Sequence, residues 1–245
     1  MANSSSWQDM RRVVRESIGL IGFRMTLRYL AIYLLSYKPF SDKSYDRQHE
    51  TDTGGMVPTS ELDIEDEATK WQSNLYLGSP ARVTRHLVRS LDISCADYSF
   101  IDYGSGKGRA LFVAAEFPFK KVIGVEISQA LHRVAETNLA KFRGKTSSEI
   151  ELWRGNALDY ELPSGNLVLH MYHPFGPDVL KLVLEHIQRA AEEEPGRKIL
   201  IPYLFSIGVA KAVFREYPAF RLVRDELCVN NLYRWTLYEY KPAGS

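Results

Sequence analysis

The chain has 245 residues, of which 45% are hydrophobic, and its formal net charge is +1. This length and composition fit a globular protein of one domain with an extension or of two small domains, and the near-neutral charge gives no strong nucleic-acid signal. Cys95 and Cys228 have no close Cys or His neighbour at ligand spacing, which disfavours a zinc site and a disulfide scaffold. We expect a cytoplasmic protein without a metal site.

The first part of the chain is predicted to be a basic extension. Residues 7–38 combine Lys and Arg with the apolar segment 29–35, which is too short to span a bilayer, so we predict one or two basic amphipathic helices. Packing against the protein's own domain is the main interpretation. Contact with a membrane surface or a partner protein is the alternative, which would make the protein membrane-peripheral.

A long loop and a further helix are predicted next. Residues 39–60 are polar and rich in turn-forming residues, and the acidic run that follows predicts a helix with Ser60 as its N-cap. We divide the chain into an extension and loop of residues 1–75 and a main domain of residues 76–245.

The main domain alternates between two kinds of pattern. Helical spacing begins at Val83, after Ser128 and at Val179, whereas short apolar runs predict strands at residues 99–103, 121–127, 149–153, 166–172 and 198–203. This alternation predicts a parallel α/β sheet. Residues 219–227 and 231–241 flank a turn at residues 229–231 and predict a terminal antiparallel hairpin.

The stretch "FIDYGSGKGRA" follows an apolar run and places Gly104, Gly106 and Gly108 in one turn. The triphosphate-binding pattern fails, and the dinucleotide-binding pattern requires a small residue where Arg109 stands. The remaining pattern is D-x-G-x-G-x-G, in which Asp102 can face the cationic amino-acid end of a nucleoside ligand.

Two motifs resemble those of a known family. "IDYGSGKGRA" resembles motif I of class I S-adenosylmethionine-dependent methyltransferases, and "VIGVEIS" resembles their motif II. The resemblance implies a Rossmann-like, seven-stranded, mostly parallel sheet with a C-terminal antiparallel hairpin, here after an N-terminal helical extension. It also implies S-adenosylmethionine as cofactor, held by Asp102, Tyr103, Gly104, Ser105, Gly106, Gly108, Glu126, Ile127, Asn156 and Ala157.

Three of these positions have specific implied roles. Glu126 would accept hydrogen bonds from the ribose hydroxyls. Asn156, where the family usually has Asp, would accept from the adenine amino group, and Ala157 would offer its backbone N–H to the ring.

The resemblance places the substrate at "HMYHPFGP", where His173 is the candidate catalytic residue. Its imidazole could act as a general base, position the acceptor or only line the pocket. A metal pair with His170 is disfavoured, because residues three apart on a strand point to opposite faces. The resemblance also implies that the extension closes over the cofactor as a lid, with Asp52 and Tyr76 taking part.

The predicted reaction transfers a methyl group to an unidentified small-molecule, lipid or protein acceptor. A nicotinamide-dependent oxidoreductase and a non-catalytic cofactor-binding scaffold are the alternatives. The sequence does not indicate an oligomeric state.

Overall fold

The computed structural model describes residues 23, 27, 42–64, 70, 73–205, 208–228 and 233–242. The basic helices predicted for residues 7–38, apart from Phe23 and Leu27, and the predicted turn at residues 229–231 lie outside the described residues. Within the described ranges, no helix is long and apolar enough to cross a membrane.

The described residues form two sheets. A small antiparallel pair joins β1 (Met56–Val57) to β2 (Tyr76–Leu77). The main sheet contains β3 (Tyr98–Tyr103), β4 (Val122–Glu126), β5 (Ile150–Arg154), β6 (Asn166–Tyr172), β7 (Ile199–Leu204), β8 (Phe220–Cys228) and β9 (Tyr233–Tyr240). Its order is β5-β4-β3-β6-β7-β9-β8, with β3 to β7 parallel and β9 antiparallel to both of its neighbours, β7 and β8. The predicted fold class is therefore confirmed.

Helices cover both faces of the main sheet. They are α1 (Asp42–His49), α2 (Ala81–Ser90), α3 (Arg109–Ala114), α4 (Gln129–Lys141), α5 (Pro177–Glu193) and α6 (Gly208–Glu216). Successive residues on a strand point to opposite faces, so Phe100 packs in the core with Leu87 of α2, and Ile101 packs in the core with Val183 of α5. The prediction that Ser128 opens a helix is confirmed, because its hydroxyl accepts from the Leu131 N–H.

Two predictions for the extension were wrong. The predicted loop of residues 39–60 contains α1 and β1, because Tyr45 of α1 is buried against Phe112 and Val113 of the main domain. Ser60 is not an N-cap, since it lies inside a single 3-10 turn, Thr59–Glu61, with Pro58 at the cap position. Local polarity does not reveal such long-range packing. The β1–β2 pair also crosses the predicted domain boundary at residue 75, which stays a prediction.

Candidate functional site

A cavity lies at the carboxyl ends of β3, β4 and β6, the edge where open parallel sheets bind their ligands. Its described walls come from the glycine turn after β3, the start of α3, the end of β4, Leu131 of α4, and the end of β6 with the turn that follows. The remaining wall residues are Leu62, Ile64, residues 73–77 and Ser79. The predicted methyl-donor site and the predicted extension thus meet in one cavity.

The glycine turn is tightly covered by other parts of the chain. Gly104 and Gly106 have φ angles of +75° and +54°, which favour glycine. A Cβ at Gly104 would lie 2.7 Å from Pro174 Cβ, and one at Gly106 would lie 2.1 Å from the ring of Tyr76. The absence of side chains therefore lets the extension and the β6 turn approach the backbone closely.

Glu126 ends β4 with its carboxylate on the cavity wall. It accepts hydrogen bonds from the backbone N–H groups of Gly106 and Ser128, each at 2.8 Å. Although these bonds favour the ionised form, burial raises the pKa of Glu126 to about 7. The carboxyl group can therefore change its charge near neutral pH.

Asp102 and His170 form a buried cross-strand pair. They are register partners on β3 and β6, and Asp102 Oδ1 lies 2.6 Å from His170 Nδ1. Both line the cavity, and the ring of His170 stacks on Phe100. The tautomer that carries its proton on Nδ1 donates it to this carboxylate oxygen. Nε2 is buried and has no hydrogen-bond partner among the described residues.

A strap, residues 46–55, is bonded to the start of α3. The Arg109 side chain is 1% exposed, and its Nη2 lies 3.0 Å from Asp46 Oδ2 while its Nε donates to Thr53 Oγ1 at 2.6 Å. Asp46 Oδ1 also accepts from the Thr53 N–H at 2.9 Å. The first helix after the glycine turn is thus tied to the extension by a buried ion pair.

Polar contacts hold the strap to the glycine turn as well. Lys107 Nζ lies 3.3 Å from Asp52 Oδ2 and donates to the Gly54 carbonyl at 3.1 Å. Asn138 Oδ1 accepts from the Asp52 N–H at 2.8 Å, and its Nδ2 donates to the Lys107 carbonyl at 3.0 Å. Asp52 therefore anchors the strap beside the site.

Residues 73–76 form another part of the cavity wall. Asn74 Nδ2 donates to the His173 carbonyl at 2.8 Å, and the Asn74 N–H donates to the Pro174 carbonyl at 3.2 Å. The Tyr76 hydroxyl donates to the Thr53 carbonyl at 2.8 Å. Residues 73–76 hence connect the β6 turn with the glycine turn and the strap.

The side chain of His173 packs beside Tyr203 and Phe205 and is not among the residues that line the cavity. His173 has a φ angle of +45°, its Nδ1 lies 2.8 Å from the Tyr203 hydroxyl, and its ring also packs against Phe205. Burial lowers the pKa of His173 to about 4. The cavity wall at this turn comes from its neighbours Tyr172, Pro174 and Phe175. A catalytic role for His173 stays a prediction.

Comparisons with known proteins agree with this architecture. A family model described as "Histone methylation protein DOT1" matches residues 69–168, less than half of the chain. A protein-lysine N-methyltransferase of Saccharolobus islandicus (strain REY15A) is 27% identical over 126 residues, which are 51% of this chain and 73% of that protein. The chain is a class I S-adenosylmethionine-dependent methyltransferase.

Solved structures of methyltransferases are similar to this chain at low sequence identity. The mitomycin 7-O-methyltransferase MmcR has a TM-score of 0.50 and 16% identity, over 67% of this chain and 55% of that chain. An RNA methyltransferase from Salinibacter ruber, crystallised with S-adenosyl-L-homocysteine, has a TM-score of 0.45 and 19% identity, over 66% of this chain and 91% of that chain.

The residues of this methyltransferase fit its cofactor. Glu126 offers carboxylate oxygens on the cavity wall, and the unpartnered Nε2 of His170 leaves one buried polar atom for a ligand. Five of the predicted cofactor residues line the cavity, namely Asp102, Gly104, Ser105, Glu126 and Ile127. Their individual contacts with the cofactor stay predictions.

The other predicted cofactor residues lie outside the cavity walls. Gly106 and Gly108 shape the turn, and the side chain of Tyr103 is buried in the core near Phe175. Asn156 and Ala157 follow β5, where Asn156 Oδ1 accepts from the Leu158 N–H at 3.0 Å. The structure therefore does not bring the predicted adenine contacts to the cavity itself.

Sequence reasoning missed the strap contacts and the role of His170 as partner of Asp102. Arg109 was noted only as too bulky for a dinucleotide turn, and its partner Asp46 lies 63 positions earlier. The sequence placed Asp102 and His170 on two predicted strands. Only the register of these strands shows that the two side chains are neighbours.

Proposed function

We propose that this methyltransferase acts on lysine side chains of proteins. The observation that carries the proposal is the likeness to the Saccharolobus islandicus protein-lysine N-methyltransferase, supported by the match to the family described by histone methylation. The cavity walls favour the same acceptor. Tyr76, Tyr172 and Phe175 offer aromatic surface that suits the aliphatic stem of a lysine.

When bound, S-adenosylmethionine supplies a methyl carbon activated by a sulfonium sulfur. Glu126 and Asp102 are proposed to fix its ribose and its amino group, respectively, so that the methyl carbon points toward the β6 turn. Tyr76 and Phe175 would exclude water from this region and align the incoming side chain.

The lysine nitrogen must be neutral to react, because an ammonium group has no lone pair. Placing it between aromatic walls removes water from the charged form and lowers the pKa of the ammonium. A lysine that has released its ammonium proton to bulk solvent would form the new N–C bond through its neutral nitrogen, while the electron pair of the broken C–S bond would stay on sulfur. Alignment and desolvation therefore suffice, without a general base from the described residues.

Radiolabelled methyl transfer tests the acceptor. The purified protein is incubated with methyl-tritiated S-adenosylmethionine and, in separate reactions, core histones, a soluble-protein extract, total lipid, a small-molecule extract and total RNA. We expect label in protein, recovered as methyllysine after acid hydrolysis. Glu126→Ala, which lacks the ribose-binding carboxylate, is expected to lose the signal. Label recovered only from lipid, RNA or small molecules, or from another amino acid, would overturn the proposal.

A further inference from the structure

We propose that His170 is a cofactor-binding residue whose Nε2 contacts the amino-acid end of S-adenosylmethionine, beside Asp102. The inference rests on the methyl donor and not on the lysine acceptor. His170 belongs neither to the glycine motif nor to the acidic residues that line the cavity.

The fold alone does not account for a histidine at this place. The residue is 1% exposed, and its ring stacks on Phe100 with 5.7 Å between centroids. An apolar ring would retain that stacking without burying a second polar atom. A buried nitrogen without a partner lowers stability unless a ligand group bonds to it. His170 lines the cavity, so a bound ligand can provide that group.

The chemistry of the pair selects the ligand group. In the tautomer that carries its proton on Nδ1 and donates it to Asp102, 2.6 Å away, Nε2 is an acceptor. It therefore suits a group with N–H bonds, and an ammonium group can donate to Nε2 and to Asp102 at the same time. The α-amino group of the cofactor is such a donor.

The sheet order places this pair at the correct end of the cofactor. Glu126 ends β4, Asp102 lies on the adjacent β3, and His170 lies on β6 beyond it. Adjacent strands are about 4.8 Å apart, so His170 lies about 10 Å along the sheet from the strand of Glu126. A ribose held at Glu126 would direct the amino-acid chain across β3 toward β6.

His170→Asn provides a selective test. The amide of Asn can keep the hydrogen bond to Asp102 in place of Nδ1, but it has no atom at the position of Nε2. Binding is measured calorimetrically for S-adenosylmethionine, S-adenosylhomocysteine and 5′-methylthioadenosine, which lacks the amino-acid end. We expect about tenfold weaker binding of the first two ligands and an unchanged affinity for the third.

Two further variants complete the experiment. His170→Gln can place a polar atom near Nε2 and is expected to restore part of the lost affinity. His86→Asn, at an exposed position on α2, is the matched control and is expected to bind all three ligands like the wild type. An equal loss for all three ligands in His170→Asn, or no loss for any, would overturn the proposal. A failure to detect methyllysine would leave this binding result unaffected.

Discussion

Gly106 leaves no room for a side chain beside the ring of Tyr76 in β2. Its φ angle of +54° is strained for alanine, and an added Cβ would lie 2.1 Å from Cε2 of Tyr76. We expect Gly106→Ala to displace this ring and to weaken S-adenosylmethionine binding roughly tenfold or more, measured by calorimetry.

Gly55→Ala separates the two effects. Gly55 has a φ angle of +86° with no atom within 4 Å of the added Cβ, so only backbone strain is introduced. Its expected cost is about 1–2 kcal/mol of stability with unchanged cofactor affinity. Tyr76→Ala in the Gly106→Ala background removes the steric conflict and leaves only the backbone strain at position 106. Equal cofactor affinities in Gly55→Ala and Gly106→Ala would refute the close-contact argument.

His173 is expected to position the β6 turn and not to act as a base. Burial lowers its pKa to about 4, so it stays neutral across the pH range in which methyl transfer is measured. Asn tolerates the φ angle of +45°, so His173→Asn keeps the turn. We expect the single-turnover rate with saturating S-adenosylmethionine to fall less than about tenfold, whereas a general base contributes about 100-fold or more. A loss of that larger size would identify His173 as the base.

At the scale of elements, the extension is an integral wall of the site. α1 packs on the main domain through Tyr45, and the strap forms its ion pair with a nearly fully buried Arg109. At the other side of the cavity, Asp63 accepts from the Ala130 N–H at 2.9 Å and thereby caps α4. These contacts favour an extension that shapes the cavity.

Asp46→Ala tests the attachment of the strap. The change removes a carboxylate partner from a cation that is 1% exposed, together with the acceptor of the Thr53 N–H. We expect a loss of about 3–5 kcal/mol in the free energy of unfolding, measured by urea denaturation. Hydrogen exchange should increase most at residues 46–55.

Glu151→Ala is the matched control for that ion pair. Glu151 pairs with Lys121 at 2.5 Å, but the two side chains are 40% and 47% exposed. Solvent screening limits the expected loss to less than about 1 kcal/mol. If the two variants lost equal stability, burial of the Arg109 pair would have no special importance.

For the whole molecule, the sequence predicted the features that depend on residues close together along the chain. The runs at residues 99–103 and 166–172 predicted two strands of the central sheet because strands buried on both faces are continuously apolar. Glu126 was placed correctly at a strand end by the motif around it. Its position on the cavity wall follows from that topology.

The missed features depend on contacts between distant parts of the chain. α1 has a polar sequence, and its helix is stabilised by Tyr45 packing and by the Asp46–Arg109 pair. The orientation of His173 depends on Tyr203, 30 positions later. Neither contact leaves a periodic pattern in the sequence, so only the folded chain shows them.

Ionisation of Glu126 should have opposite effects on the stability of the whole protein and on its affinity for the cofactor. Burial raises the pKa of this group from 4.5 to about 7 in the folded state, so between these values the folded chain holds a proton that the unfolded chain has released. The free energy of unfolding should therefore fall as pH rises through this window and level off above it. Cofactor affinity should rise instead, because ribose hydroxyls donate to the ionised carboxylate.

Glu126→Gln removes the titrating group and should flatten both curves. Urea denaturation and calorimetric S-adenosylmethionine titration, each from about pH 5 to about pH 8, provide the two measurements. We expect wild-type affinity to increase by up to about tenfold between pH 6 and pH 8 while its stability declines toward pH 7. If the variant kept both slopes, another group would be responsible. If only the pH dependence of the cofactor affinity disappeared, Glu126 would contact the cofactor, but its burial would not cause the pH dependence of the free energy of unfolding.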